Sequence, residues 1–68
     1  MFYSLKGNLI HMEPGLAVVE CGGVGFKCLT TLSTQRTLPS IGEQVTLYTH
    51  LNVREDALHM FGFATLGE

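Results

Sequence analysis

The most regular alternation of apolar and polar positions lies in residues 45–53. One set of side chains in this segment is apolar or threonine, and the intervening set is polar. The first set is Val45, Leu47, Thr49, Leu51 and Val53, and the second is Thr46, Tyr48, His50 and Asn52. Because successive side chains of a strand point to opposite faces, this period of two predicts a half-buried strand with His50 on its polar face.

Four further stretches are rich in branched and aromatic residues, which favour strands. They are residues 2–10, 16–21, 26–30 and 58–63. The first stretch has Gly7 near its middle, and a glycine inside a strand indicates a bulge or a sharp bend. A strand that belongs to two sheets or turns a barrel corner needs such a bend.

Turn residues separate these stretches. Glu13-Pro14-Gly15 is suited to a turn, since proline fixes φ at its second position and glycine accepts positive φ at its third. The glycine-rich residues 22–25 predict a hairpin turn, and residues 39–42 (Pro-Ser-Ile-Gly) a third turn. Residues 52–57 are predicted to form a fourth connection.

Residues 31–38 do not fit a strand. Thr31 or Ser33 can cap a short helical turn there, which must end before Pro39. The predicted order is three strands, a helical turn and two strands, with a long bent first strand. This order favours an all-β fold, a five-stranded Greek-key barrel of the OB type. A small open sheet and an SH3-like barrel are the alternatives.

Composition limits the chain to one small domain with an excess of apolar residues. The 68 residues are 46% hydrophobic and 15% charged, against a usual charged share of about 25%. A chain of this length buries only about 60% of its unfolded surface, so it gains from oligomerisation. No run reaches the roughly 20 apolar residues of a membrane span, and no secretory signal is present.

The charge argues against a module that grips DNA by itself. The chain has four basic and six acidic residues, which gives a net charge of −2. A domain that binds a phosphate backbone alone usually carries a basic patch. A nucleic-acid role would therefore rest on shape, on other domains or on the negative charges.

Residues with metal-binding or catalytic chemistry lack the required spacing. Cys21 and Cys28 are too few for a disulfide framework and are predicted to be reduced, buried hydrophobes. His11, His50 and His59 form no metal-ligand pattern with them, so we expect no metal and no cofactor. No serine lies in a nucleophile elbow, and the Gly22–Gly25 segment lacks the Lys-Ser/Thr ending of a phosphate loop. We therefore predict no catalytic residue.

Single-strand binding by an OB barrel commonly uses aromatic side chains on its second and third strands. This region offers only Phe26. A generic OB module that binds single-stranded nucleic acid or a peptide is therefore the alternative rather than the preferred interpretation.

Several motifs together resemble the N-terminal domain of the RuvA family, the Holliday-junction-binding subunit of the bacterial branch-migration machinery. They are residues 5–7 (Leu-Lys-Gly), 22–26 (Gly-Gly-Val-Gly-Phe), 38–39 (Leu-Pro), 49–57 (Thr-His-Leu-Asn-Val-Arg-Glu-Asp-Ala) and 60–63 (Met-Phe-Gly-Phe). The resemblance covers residues 1–63 and implies an OB-fold barrel that acts as the hub of a homotetramer.

The resemblance also assigns a role to residues that chemistry alone describes as a solvated turn. It implies that Glu55 and Asp56 form an acidic pin at the crossover of a four-way DNA junction, with Arg54 as a supporting loop residue. It further implies a non-catalytic, cytoplasmic bacterial protein. Residues 64–68 would begin a linker to a helix-hairpin-helix domain outside this sequence. Domains outside it would also contact the RuvB motor and the RuvC resolvase.

Overall fold

The computed structural model describes residues 3–53 and 58–65, which form five strands and one short helix. The elements are β1 (Ser4–Glu13), β2 (Leu16–Cys21), β3 (Val24–Thr30), α1 (Leu32–Thr37), β4 (Gln44–Val53) and β5 (Leu58–Phe63). Their order is the predicted one. β1 extends three residues beyond its predicted end, and β3 begins two residues earlier than predicted.

The strands close into a barrel in the order β1-β2-β3-β5-β4. β3 and β5 run parallel and are joined by two residue pairs, Leu29↔Phe61 and Thr30↔Gly62. The other neighbouring strands run antiparallel. This closed five-stranded barrel, with α1 between β3 and β4, confirms the predicted OB fold.

β1 is the strand shared between two partners. Residues 4–8 pair with β4, and residues 8–13 pair with β2. A bulge or a sharp bend was predicted at Gly7, and the register shift lies instead between Leu9 and His11. At Gly7 the constraint is close packing, because a Cβ there would overlap the backbone carbonyl of Glu20 on β2.

The core lies inside the barrel, and its buried hydrophobic residues among those whose burial is described come from β1, β2, β3 and β4. Its buried members are Leu5, Leu9, Ala17, Val19, Cys28, Val45 and Leu47. Val45 and Leu47 confirm the predicted inner face of β4, and His50 is exposed on the opposite face. Cys28 is a buried hydrophobe as predicted, whereas Cys21 is half-buried.

Glycines set the geometry of the turns. Gly22 and Gly23 have φ of 57° and 88°, the pattern of a two-residue hairpin turn that requires positive φ at both positions. Gly15 has φ of 80°, as expected for the third residue of the predicted turn.

The third turn lies one residue later than predicted. The N–H of Glu43 donates to the Ser40 carbonyl at 3.1 Å, so the turn spans residues 40–43. Gly42 then occupies the third position, with φ of 98°. Placing the turn there lets glycine adopt the positive φ that this position requires.

α1 begins at a threonine cap and ends before a proline. The Thr31 Oγ1 accepts the N–H of Thr34 at 3.1 Å, which identifies Thr31 rather than Ser33 as the cap. The helix has six residues and ends at Thr37; Leu38 is extended, since Pro39 disfavours a helical conformation in the residue before it. In the described parts of the chain, no helix is long and apolar enough to cross a bilayer.

Candidate nucleic-acid interface

The β4–β5 hairpin carries the segment predicted to contact the centre of a DNA junction. Its register is continuous over six residue pairs, from Tyr48↔Phe63 to Val53↔Leu58. Arg54, Glu55 and Asp56 lie outside the described residues. The strand ends on either side of them are directly paired, so only four residues join two adjacent strands.

The net charge of the chain comes from residues outside the described ranges. The described residues carry three basic and three acidic side chains, which balance. The remaining charges are Arg54 against Glu55, Asp56 and Glu68, and these account for the net charge of −2. The barrel itself is therefore neutral.

The three basic side chains of the barrel are exposed and lie on separate elements. Lys6 is on β1, Lys27 on β3 and Arg36 on α1. Lys6 is paired with Thr46, whereas Lys27 is paired with Val18, so the two lysines belong to different strand pairs. Three basic side chains, balanced by three acidic ones, are fewer than the basic patch usual in a module that binds a phosphate backbone alone.

Two of the three acids of the barrel have local partners. Glu13 Oε2 lies 2.9 Å from His11 Nε2, and both side chains are more than half exposed. Glu43 Oε2 accepts the N–H of Ser40 at 2.9 Å and closes the turn at residues 40–43. An exposed pair such as His11–Glu13 contributes little to stability.

The outer face of β2 and β3 differs from an aromatic stacking platform. Phe26 is half-buried and packs against the core. Val18 and Ile10 lie next to Gly25, since a Cβ at residue 25 would meet them at 3.4 and 3.7 Å. This face is aliphatic in its centre, which disfavours the base stacking that single-strand binding uses.

The buried thiol is unsuited to nucleophilic chemistry. Burial, with a smaller contribution from the charge of Cys21, raises the pKa of Cys28 to about 11. The Cys21 thiol donates to the Lys6 carbonyl at 3.1 Å. In residues 3–53 and 58–65, no three histidine, cysteine or acidic residues are grouped as metal ligands.

Two polar side chains of α1 make long-range contacts that the sequence patterns did not indicate. Thr34 is fully buried, and its Oγ1 accepts the N–H of Ala64 at 3.3 Å. Gln35 Nε2 donates to the carbonyls of Glu13 and Leu16, at 2.6 and 3.3 Å. The Thr-x-x-Thr spacing of residues 31–34 indicates helix capping, but nothing local indicates these distant partners.

Comparison with known proteins identifies the family. The family described as RuvA N terminal domain matches residues 1–62. Among similar proteins, one from Rubrobacter xylanophilus is 47% identical over 68 residues, covering 100% of this chain and 35% of that protein. One from Chlorobium phaeovibrioides is 45% identical over 65 residues, covering 96% of this chain and 32% of that protein. One from Symbiobacterium thermophilum is 44% identical over 68 residues, covering 100% of this chain and 33% of that protein.

All three relatives are named Holliday junction branch migration complex subunit RuvA. The chain spans about a third of the length of these relatives. The family match covers almost the whole sequence, and the closed barrel agrees with the fold expected from the resemblance. This chain belongs to the RuvA N terminal domain family.

Proposed function

We propose that this chain is the non-catalytic N-terminal domain of a Holliday-junction-recognition protein. It would act in the bacterial cytoplasm with a RuvB motor, in branch migration during homologous recombination and DNA repair. The observation that carries the proposal is the family match over residues 1–62, together with relatives named as RuvA subunits.

In this function the β4–β5 hairpin supplies the acidic pin. Paired strand ends at Val53 and Leu58 bracket Glu55 and Asp56, the two acids assigned to the pin by the resemblance. Arg54 would support them as a loop residue. Because the hairpin is paired up to Val53 and Leu58, the two ends of the short charged loop are held at a fixed separation.

The pin would act through repulsion. A carboxylate about 6 Å from a phosphate is repelled by roughly 0.7 kcal/mol in water, and by about 3 kcal/mol at an effective dielectric of 20. Such energies leave binding intact when basic groups elsewhere hold the DNA arms. They disfavour arrangements that bring phosphates to the centre, so the junction would be kept open. Specificity for the open junction would then arise from repulsion of the other arrangements.

The second part of the proposed role is to form the hub of a homotetramer. Large apolar side chains are exposed on the barrel, and they include Ile10, Val24 and Ile41 at 42%, 54% and 55%. Burying such side chains between subunits would add the stability that a 68-residue barrel lacks. Four copies would bring eight pin carboxylates to the middle of the junction.

Under this proposal, contacts with the DNA arms would come from other parts of a longer protein. A barrel whose three basic side chains are balanced by three acidic ones has few groups for the phosphate contacts that dominate affinity for DNA. A helix-hairpin-helix domain beyond residues 64–68 would grip the DNA arms, and further domains would contact RuvB and RuvC. In this scheme the chain holds no metal or cofactor and shapes the DNA rather than cleaving it.

The test is to replace the corresponding N-terminal segment of the Rubrobacter xylanophilus relative with this chain. We expect the chimaera to form a tetramer in light scattering and to bind a four-way junction more tightly than a linear duplex of equal length. A chimaera that folds but binds both DNAs equally would contradict the proposal. Tight binding of single-stranded oligonucleotides by the 68-residue chain alone would favour the generic OB module instead.

A further inference from the structure

The point where the chain leaves the barrel is tied to α1. β5 ends at Phe63, and the next N–H, that of Ala64, donates to the Thr34 hydroxyl at 3.3 Å. Thr34 is the fully buried polar residue of the described chain. A buried hydroxyl is costly unless it is hydrogen-bonded, so its position is determined by the partners it meets.

The Thr34 hydroxyl is itself held from the start of α1. Thr31 Oγ1 donates to Thr34 Oγ1 at 3.1 Å and also accepts the Thr34 N–H at 3.1 Å. The residue that caps the helix therefore also orients the hydroxyl that meets Ala64. Thr37 Oγ1 donates to the Thr34 carbonyl at 2.8 Å, which adds a second contact within the helix.

Gln35 joins α1 to the turn between β1 and β2. Its amide donates to the carbonyls of Glu13 and Leu16, which flank the turn between β1 and β2. In the same turn, the Gly15 carbonyl accepts a hydrogen bond from the Thr30 N–H at 2.9 Å. α1 thus connects the β1–β2 turn with the exit of β5 through two adjacent residues.

From these contacts we infer that α1 is a brace, and that Thr34 is the positioning residue that sets the direction in which the chain leaves the barrel. This role of Thr34 is separate from the DNA-junction contacts proposed for the β4–β5 loop. It concerns how any segment that follows Thr65 is oriented relative to the barrel. A side chain that retains shape but lacks the hydroxyl would remove this hydrogen bond to the Ala64 N–H while leaving the strands paired.

The experiment is hydrogen exchange of individual amides, followed by NMR in the 68-residue chain. Thr34→Val removes the hydroxyl with little change of shape, and Thr34→Ser is the matched control that keeps it. Loss of one hydrogen bond should speed exchange at Ala64 by about fivefold in Thr34→Val, and Thr34→Ser should stay within about twofold of the unsubstituted chain. The Leu9 amide, which donates to the Glu43 carbonyl at 2.9 Å, is the internal reference and should not change.

Gln35→Met provides a second, independent variant. It removes both amide donors to the β1–β2 turn, so the brace predicts faster exchange at Ala64 even though residue 34 is intact. Equal acceleration of Ala64 and Leu9, or unchanged exchange at Ala64 in Thr34→Val, would overturn the inference. If Thr34→Val does not fold, the unsubstituted chain still decides: an Ala64 amide that exchanges at the rate of an unstructured peptide contradicts the brace.

Discussion

Gly7 on β1 lies against the backbone of Glu20 on β2, so closely that a Cβ at residue 7 would overlap the Glu20 carbonyl. The same Cβ would lie 2.8 Å from Cys21 Sγ. Because the main obstacle is backbone, it cannot move away as a side chain can. The close approach occurs near the point where β1 passes from β4 to β2, so Gly7 allows one strand to serve both partners.

Gly7→Ala should therefore lower the free energy of unfolding by at least about 2 kcal/mol, as overpacking against fixed atoms does. Gly25→Ala is the matched control, since its nearest neighbours are side-chain atoms at 3.4 and 3.7 Å. It should change stability by less than about 0.5 kcal/mol. Urea unfolding of both variants measures this, and equal stabilities would refute the packing role of Gly7.

Leu47 should contribute more to stability than any exposed leucine. It is fully buried in the core, and Leu47→Ala is expected to cost about 2–5 kcal/mol through lost burial and the cavity that remains. Leu32 on α1 is 67% exposed and provides the control. Leu32→Ala should stay within about 0.5 kcal/mol in thermal or urea unfolding. A small loss at Leu47 would show that the barrel interior is not the core.

The raised pKa of Cys28 predicts a loss of stability at alkaline pH. The ordinary thiol pKa is 9.0, and burial raises it to about 11 in the folded chain. Well below pH 9 both states are protonated and the thiol adds no pH dependence. Between pH 9 and 11 the unfolded chain releases this proton while the folded chain keeps it, so the free energy of unfolding falls.

Unfolding at pH 8 and pH 10.5 should therefore show a larger decrease for the unsubstituted chain than for Cys28→Ala, which lacks the titrating group. Groups that do not interact with Cys28 affect both chains alike, so the difference reports on Cys28 and its interaction with Cys21. Equal decreases would contradict the assigned pKa. At pH 8 the folded thiol should also react with iodoacetamide at least about a hundredfold more slowly than in urea, since a two-unit shift reduces the thiolate by that factor.

The features predicted correctly from the sequence depend on neighbouring residues. Alternation in residues 45–53 predicts a strand because its period of two follows from strand geometry, and Gly22 and Gly23 predict a tight turn because they accept positive φ. The sequence predicted Thr31 or Ser33 as the helix cap. The hydrogen bond from the Thr34 N–H to Thr31 Oγ1, three residues apart, shows that the cap is Thr31.

The features that were displaced or missed depend on residues distant in sequence. Gly7 indicates a local irregularity, but only the position of Glu20 shows that close packing is the reason and that the register shift lies elsewhere. The partners of Thr34 and Gln35 are about 20 to 30 residues away, beyond the range of any local pattern. The roles of Glu55 and Asp56 come from family resemblance and stay a prediction, because both lie outside the described residues.

The measurement that most directly tests the acidic pin is the dissociation constant of a four-way junction for the chimaera, with and without Glu55→Gln and Asp56→Asn. Removing about 0.7 kcal/mol or more of repulsion predicts binding that is about threefold tighter or more. Glu13→Gln with Glu20→Gln removes the same charge from the barrel and controls for net charge. It should tighten binding less than the loop variant. Loss of junction binding in the loop variant would contradict the repulsive role of Glu55 and Asp56.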